Sequence, residues 1–243
     1  METFGMAQYA YAFVVLSAAY FVRGVAGFGS GLIAIPLLLM WFPLLVAVPL
    51  VVALDYLASA SQGIKDRQAI QWREIWPLLP FALLGVMGAV YLLQAVDPRL
   101  LLKGLAIFII LYALYSLVGK NPESVHGRWW AIPAGGLGGL IGTTFGTGGP
   151  FYVVYLQMRR LDKTQFRATF AAIFLLDGAN RLAGYFLSGM LTLQFLRMLA
   201  MALPVMMVGI YLGGRVHTTV GQETFRRGIG LLLICSGVAL LLR

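Results

Sequence analysis

The stretch Phe145-Gly146-Thr147-Gly148-Gly149-Pro150 decides the fold, because it interrupts an apolar segment and has a counterpart, Phe28-Gly29-Ser30-Gly31, in the first half of the chain. Two apolar halves that each carry a glycine-rich break are typical of transporters whose site lies between two repeats. The sequence predicts a single transmembrane domain with repeat one over 5–118, a linker over 119–128 and repeat two over 129–243. Other matches follow in the same order: Gly85 recurs at Gly209, and Lys103-Gly104-Leu105 recurs at Arg227-Gly228-Ile229.

Composition indicates an integral membrane protein. Hydrophobic residues make up 60% of the chain and charged residues 11%, whereas soluble domains carry about 25% charged residues. Segments of sufficient length to cross a bilayer core are predicted at 44–63, 76–95, 99–118, 168–187, 193–214 and 224–242. The net charge of +9 comes from short loops, as in cytoplasmic loops of membrane proteins, so we expect no nucleic-acid partner. Because Glu2 is the only charge before the first apolar segment, we expect no cleaved signal peptide.

The sequence lacks the features of an enzyme or an ATP-driven pump. Its single cysteine, Cys235, excludes an internal disulfide and is expected to pack in the core. His126 and His217 are predicted in loops, and no apolar segment combines the residues of a catalytic or metal site, so we expect no catalytic residue, metal or cofactor. No phosphate-binding Gly-x-x-x-x-Gly-Lys motif occurs. A membrane-embedded enzyme is the less favoured alternative.

The positively charged loops predict that the two repeats are inverted. Inversion requires that 4–42 and 129–158 each enter and leave the membrane on one side, as re-entrant helical hairpins, which irregular glycine-rich centres permit. Each repeat is then a hairpin followed by three transmembrane helices, in an all-α protein. Eight alternating spans would give no charge bias. With inversion, most basic residues lie inside (Lys65, Arg67, Arg73, Lys120, Arg128, Arg159, Arg160, Lys163, Arg167, Arg215, Arg226 and Arg227) and few outside (Arg99, Lys103, Arg197 and Arg243).

Each glycine-rich break predicts part of an anion site. A helix that restarts at membrane depth presents free N–H groups and the positive end of its dipole, and Pro150 suits the first turn of such a helix. The alternative is that the glycines serve only close helix packing, as Gly135-Gly136 and Gly138-Gly139 are expected to do. The predicted substrate-binding residues of the two breaks are Gly29, Ser30, Gly31, Thr143, Thr144, Gly146, Thr147, Gly148 and Gly149.

Charged residues at bilayer depth complete the candidate site, because each costs roughly 3 kcal/mol unless it has a partner or a function. Arg23 lies beside the first break, and Asp177, Asn180 and Arg181 share one helix face. We expect Arg23, Asn180 and Arg181 to bind the anion, with Asp177, or less strongly Asp55, carrying a coupling proton. Two alternatives stay open: a structural salt bridge from Arg23 to Asp55 or Asp177, and mutual neutralisation of Asp177 and Arg181.

Several motifs resemble those of the sulfite exporter TauE/SafE family of membrane permeases. They are the stretch from Phe145 to Pro150, Tyr155-Leu156, Phe166-Arg167-Ala168-Thr169 and Asn180-Arg181. The glycines at 27, 29 and 31, followed by Pro36, look like the family's other glycine motif. The chain departs from the family at Ser30, where another glycine is common, and has no second-half proline equivalent to Pro36.

The resemblance implies a multi-pass secondary transporter in the bacterial inner membrane. Its expected partners are the lipid bilayer and a small sulfur-containing anion such as sulfite, thiosulfate or an organosulfonate, for example sulfoacetate. A passive anion channel is the alternative function. The sequence leaves open whether the chain forms a homo-oligomer.

Overall fold

The computed structural model describes residues 5–26, 29–63, 67–118, 127–159 and 161–215, together with residues 234, 237, 238 and 241. The part described is all-helical, as predicted, with no strand. The predicted last span, most of the linker, Lys65, Arg160, Cys235, His126 and His217 lie outside it. The helices are α1 (Met6–Ala26), α2 (Ser30–Leu38), α3 (Leu44–Gly63), α4 (Trp72–Ile75), α5 (Leu79–Ala95), α6 (Pro98–Val118), α7 (Ala131–Phe145), α8 (Gly149–Gln157), α9 (Lys163–Leu187) and α10 (Leu193–Arg215).

The helix bounds confirm the predicted α3 and differ from the prediction by one residue at α6 and α10. Helix α5 starts later than the predicted position 76, because the short helix α4 precedes it and Pro80 lies in its first turn. Helix α9 starts before the predicted position 168, because the Asp162 side chain caps it by accepting hydrogen bonds from the backbone N–H groups of Thr164 (2.9 Å) and Gln165 (2.8 Å). The predicted first residues of these two spans were therefore wrong.

The helices group into two compact units that cut across the sequence repeats. The first unit contains α1, α2, the start of α3, α6 and α10, and the second unit contains the rest of α3 with α4, α5, α7, α8 and α9. Each unit thus combines one glycine-broken pair of helices with a helix of the other repeat.

In both units the helix after the break folds back along the helix before it. The Tyr11 hydroxyl donates a hydrogen bond to the carbonyl oxygen of Leu37 (2.9 Å), which joins the first half of α1 to the end of α2. In the other unit the Tyr152 ring of α8 lies directly against Gly138 of α7, so that an added Cβ at Gly138 would overlap it. One continuous helix would separate residues 138 and 152 by about 20 Å.

Glycines let each hairpin pack closely on a helix of the other repeat. An added Cβ at Gly139 of α7 would overlap the backbone carbonyl of Ala82 in α5. In the other unit, Gly213 of α10 meets the carbonyl of Phe21 in α1 in the same way. The expected packing role is confirmed for Gly135, Gly138 and Gly139, where an added Cβ would overlap a neighbour, whereas an added Cβ at Gly136 would have no heavy atom within 4 Å. The division of the chain into two repeats and their inversion stay predictions.

Many large apolar side chains are exposed on the surfaces of the described helices. By length and composition, Thr164–Leu187 and Leu193–Arg215 qualify as membrane spans within the described residues, and Leu44–Ala60 and Leu79–Ala95 are shorter apolar helices. Such surfaces suit contact with lipid rather than water. Large exposed apolar side chains include Leu84, Met87 and Tyr91 of α5 and Met207, Val208 and Tyr211 of α10.

Candidate functional site

The second glycine-rich break lies between α7 and α8. Helix α7 ends at Phe145, and Gly146 adopts a left-handed backbone conformation with φ of 66°, which L-residues with a side chain rarely adopt. Helix α8 begins at Gly149 with Pro150 in its first turn. The predicted interruption is confirmed, and the first N–H groups of α8 have no partner within their own helix.

The guanidinium group of Arg181, on α9, fits against both sides of this break. An added Cβ at Gly142 would overlap the guanidinium, and one at Gly148 would lie 2.6 Å from Nη2 of Arg181. Both positions therefore require glycine to admit the arginine. Arg181 is only 3% exposed, so its charge is held inside the second unit.

A buried network holds this arginine. Nη2 of Arg181 donates to Oδ2 of Asp177 and to the carbonyl oxygen of Gly138 (3.1 Å). The Tyr152 hydroxyl donates to the same Asp177 oxygen (2.7 Å), and the Tyr185 hydroxyl donates to the carbonyl of Thr143. Of the alternatives left open by the sequence, the structure shows the pairing of Asp177 with Arg181.

Several polar atoms around this break are buried and have no hydrogen-bond partner among the described residues. They are the hydroxyls of Thr143, Thr144 and Thr147, Oδ1 of Asp177 and Nε of Arg181. A buried polar group without a partner costs about 1 to 3 kcal/mol. Four of these groups can donate a hydrogen bond, and an oxyanion has the acceptors to satisfy them.

The first break, in the other unit, also places an arginine beside a hydroxyl. Gly29 is left-handed (φ 95°) and precedes α2, which begins at Ser30. Nη1 of Arg23 donates to the Ser30 hydroxyl (3.0 Å), and both residues are buried. Gly31 is buried in the first turn of α2.

Residues 11–240 match the protein family described as sulfite exporter TauE/SafE. This chain belongs to the sulfite exporter TauE/SafE family. It is 29% identical over 194 residues, covering 79% of this chain and 81% of the relative, to the "Probable inner membrane transporter protein TsaS" of Comamonas testosteroni. It is 26% identical over 236 residues, 94% of this chain and 91% of the relative, to the "Probable sulfite/organosulfonate exporter TauE" of Cupriavidus necator. No solved structure matches the chain.

Membership of the TauE/SafE family confirms the predicted resemblance and the predicted location in the inner membrane. The chain is a multi-pass membrane protein of a transporter family, in agreement with the expectation that it is not an enzyme.

The structure divides the predicted TauE/SafE site residues between the two breaks. Asn180 lies half-buried on α9, one residue before Arg181, and Asp55 is buried in α3. Contact of both breaks with one anion stays a prediction, as do the coupling roles of Asp177 and Asp55. Thr143, Thr144, Gly146, Thr147, Gly148, Gly149 and Arg181 lie at the second break, and Arg23, Gly29, Ser30 and Gly31 lie at the first.

Sequence reasoning missed Tyr152, Tyr185 and Gly142. The two tyrosines reach the site only because α8 folds back on α7 and α9 packs against both, which no local spacing indicates. Gly142 stands four residues before Gly146 and resembles the packing glycines before it. Its contact with Arg181 follows from the fold alone.

A second charged cluster surrounds Glu74 of α4. Its carboxylate accepts hydrogen bonds from the Tyr155 hydroxyl (2.8 Å), Nε of Arg159 (2.9 Å) and Nη2 of Arg128 (3.2 Å). Burial alone would raise the pKa of Glu74, but the hydrogen bonds from Tyr155, Arg159 and Arg128 together lower that pKa below its ordinary value. Because Arg128 precedes α7 and Arg159 follows α8, one carboxylate holds both ends of the hairpin.

Proposed function

We propose that this chain is a secondary transporter of a small sulfur-containing anion, such as sulfite, thiosulfate or an organosulfonate like sulfoacetate, across the bacterial inner membrane. The observation that carries the proposal is the buried Arg181 guanidinium against the glycine break between α7 and α8. The printed name of the Cupriavidus relative, a sulfite and organosulfonate exporter, supports the substrate class.

The groups at this break suit an oxyanion. A sulfonate or sulfite presents three oxygens, and the break offers threonine hydroxyls, Nε of Arg181 and the N–H groups that begin α8. Hydrogen bonds from charged donors to an anion are stronger than neutral ones, and the helix dipole favours a negative charge at this end. Arg181 supplies the charge, the hydroxyls of Thr143, Thr144 and Thr147 orient the oxygens, and Gly146, Gly148 and Gly149 let the backbone approach.

The first break supplies a second set of candidate ligands. Arg23 and Ser30 already share a hydrogen bond at a buried helix start, and Gly29 and Gly31 permit a close approach of the anion. Asn180 is a further candidate for an amide contact. With these residues we keep the prediction that both glycine-rich breaks contribute ligands to the substrate.

We also propose that the α7–α8 hairpin is re-entrant and that the repeats are inverted. The attachment of Arg128 and Arg159 to Glu74 supports this topology, because the residues that flank the hairpin meet at one carboxylate. Eight alternating spans would put Arg128 and Arg159 on opposite sides of the membrane.

Flux into proteoliposomes tests the proposed function. Purified protein is reconstituted and offered sulfite, thiosulfate, sulfoacetate, sulfate and taurine, with protein-free liposomes as the control. We expect saturable flux of at least one sulfur anion that responds to an imposed ion gradient at constant voltage. Flux that never saturates and follows voltage alone would identify a passive channel. Absence of flux for the whole panel would contradict the transporter assignment.

A further inference from the structure

Asp177 and Arg181 form a buried ion pair with no net charge. Both side chains are almost fully buried, with exposures of 1% and 3%. Nη2 of Arg181 is shared between Oδ2 of Asp177 and the carbonyl of Gly138, and the same Asp177 oxygen accepts from Tyr152. The other carboxylate oxygen and Nε of Arg181 have no partner within the described ranges. The pair is therefore joined through one nitrogen and one oxygen only.

An anion that contacts Arg181 changes this charge balance. A monoanion would give the pair a net charge of −1 at a buried position, and an uncompensated buried charge costs several kcal/mol. Buried groups avoid this cost by changing their protonation state. One proton on Asp177 restores neutrality and frees the guanidinium for the anion.

We propose that the substrate anion and the Asp177 carboxylate compete for Arg181, so that binding of one monoanion is accompanied by uptake of one proton at Asp177. This inference rests on the proposed function, because it places the anion at the break between α7 and α8. A water-borne proton forms an O–H bond on the Asp177 carboxyl, and Arg181 exchanges its hydrogen bond to Oδ2 for one to an anion oxygen. The net charge of the site stays at zero, because one monoanion and one proton arrive together. Movement of the anion is thereby coupled to movement of a proton.

Other titratable groups lie on the helix that carries Asp177 and on the elements packed against it. Helix α7 contains no titratable side chain, and Tyr91 of α5 is 70% exposed. The Tyr152 hydroxyl donates a hydrogen bond to the Asp177 carboxylate and holds it beside Arg181. Tyr56 of α3 lies against Gly178, and Glu74 of α4 is paired with arginines. The titratable and charged groups on these elements are Tyr152, Arg181, Tyr185, Asp55, Tyr56, Glu74 and the exposed Arg67 and Arg73.

Anion binding measured against pH tests the exchange. Isothermal titration with methanesulfonate and thiosulfate, whose charges do not change between pH 5 and 8, gives Kd for the purified protein. Where Asp177 is ionised in the free protein and protonated in the complex, Kd rises tenfold per pH unit. Asp177→Asn should bind with a Kd that does not depend on pH.

Proton uptake provides a measurement that needs no variant. Mixing the protein with methanesulfonate in weakly buffered solution with a pH indicator should show about one proton taken up per anion bound where the Kd depends on pH. A Kd that is constant from pH 5 to 8 without proton uptake would overturn the exchange and leave the anion site intact. Absence of anion binding at every pH would overturn both the exchange and the proposed function.

Discussion

Nε of Arg159 lies 2.9 Å from Oε2 of Glu74, so the chain just after α8 is held on the segment between α3 and α5. Thr169 strengthens this junction, because its hydroxyl accepts a hydrogen bond from the backbone N–H of Gln71 (2.9 Å), which attaches α9 to the same segment. The segments before α4, α7 and α9 therefore meet at one end of the second unit.

This junction predicts that residues 65–73 and 159–163 face the same, cytoplasmic side of the membrane. Single cysteines at Gln68 and Arg160, in a Cys235→Ala background, should react with an impermeant maleimide from the same side of oriented vesicles. Gln94→Cys, at the end of α5, is the control for the opposite side. Labelling of Gln68→Cys and Arg160→Cys from opposite sides would refute the re-entrant α7–α8 hairpin.

Glu74 should stabilise the protein in a pH-dependent way. Its pKa in the folded protein lies below the ordinary value of 4.5, so its contribution is present above that pH and is lost as the pH falls through the lowered pKa. Glu74→Gln should lower the free energy of unfolding by about 1 to 3 kcal/mol at pH 7. The variant should also lose less of its stability than the wild type when the pH is lowered. Thermal unfolding in detergent at several pH values measures both effects.

The exposed neighbour Arg73 provides the matched control for Glu74. Arg73→Gln alters a charge on the same short helix and should leave the unfolding temperature within the error of the wild type. A Glu74→Gln protein with wild-type stability at pH 7 would show that the cluster does not hold the hairpin.

Much of the fold follows from the sequence, because apolar length and glycine breaks are local signals. The bounds of α3 and the helix break at Gly146 could be anticipated in this way, but the left-handed conformation of Gly146 was not predicted. The start of α9 could not be inferred from apolar content, since its cap at Asp162 precedes the apolar residues by a polar turn.

The site could be predicted only in part, because some of its contacts depend on the return of α8 along α7. The spacing of Asp177 and Arg181 is visible in the sequence, but the approach of Tyr152 is not. Similarly, the sequence predicts Arg128 and Arg159 only as cytoplasmic loop charges, although both pair with Glu74 far from them in the chain.

Glycines that meet a neighbour should tolerate alanine much less well than a glycine in open space. Gly142→Ala would force a methyl group into the Arg181 guanidinium and should destabilise the protein, with loss of anion binding. Gly136→Ala, on the same helix, has no heavy atom within 4 Å of the added Cβ and should be neutral or stabilising by up to about 1 kcal/mol. Thermal unfolding of both variants checks this contrast, and equal stabilities would contradict the described packing.

The hydroxyl of Thr147 should matter for binding and not for folding. It is buried without a hydrogen-bond partner among the described residues, so Thr147→Val removes an anion ligand without breaking a hydrogen bond of the protein. We expect anion affinity to fall about 2- to 13-fold, with unchanged or slightly higher stability. The control is Thr169→Val, which removes the acceptor for Gln71 and should lower stability while anion affinity is retained. The reverse pattern, or no effect of Thr147→Val on Kd, would remove Thr147 from the site.

Direct anion binding to a variant without the buried charge pair tests the central claim, that Arg181 holds the substrate at the break between α7 and α8. Arg181→Gln alone would leave Asp177 buried without its partner, so the informative protein is the double variant Asp177→Asn/Arg181→Gln, which has no net change in charge. Titration with thiosulfate, compared with Asp177→Asn alone, should show a folded protein whose affinity is about 10- to 150-fold weaker, the equivalent of one charge-assisted contact. A folded double variant that binds thiosulfate as tightly as Asp177→Asn would contradict the assignment of Arg181 as an anion ligand.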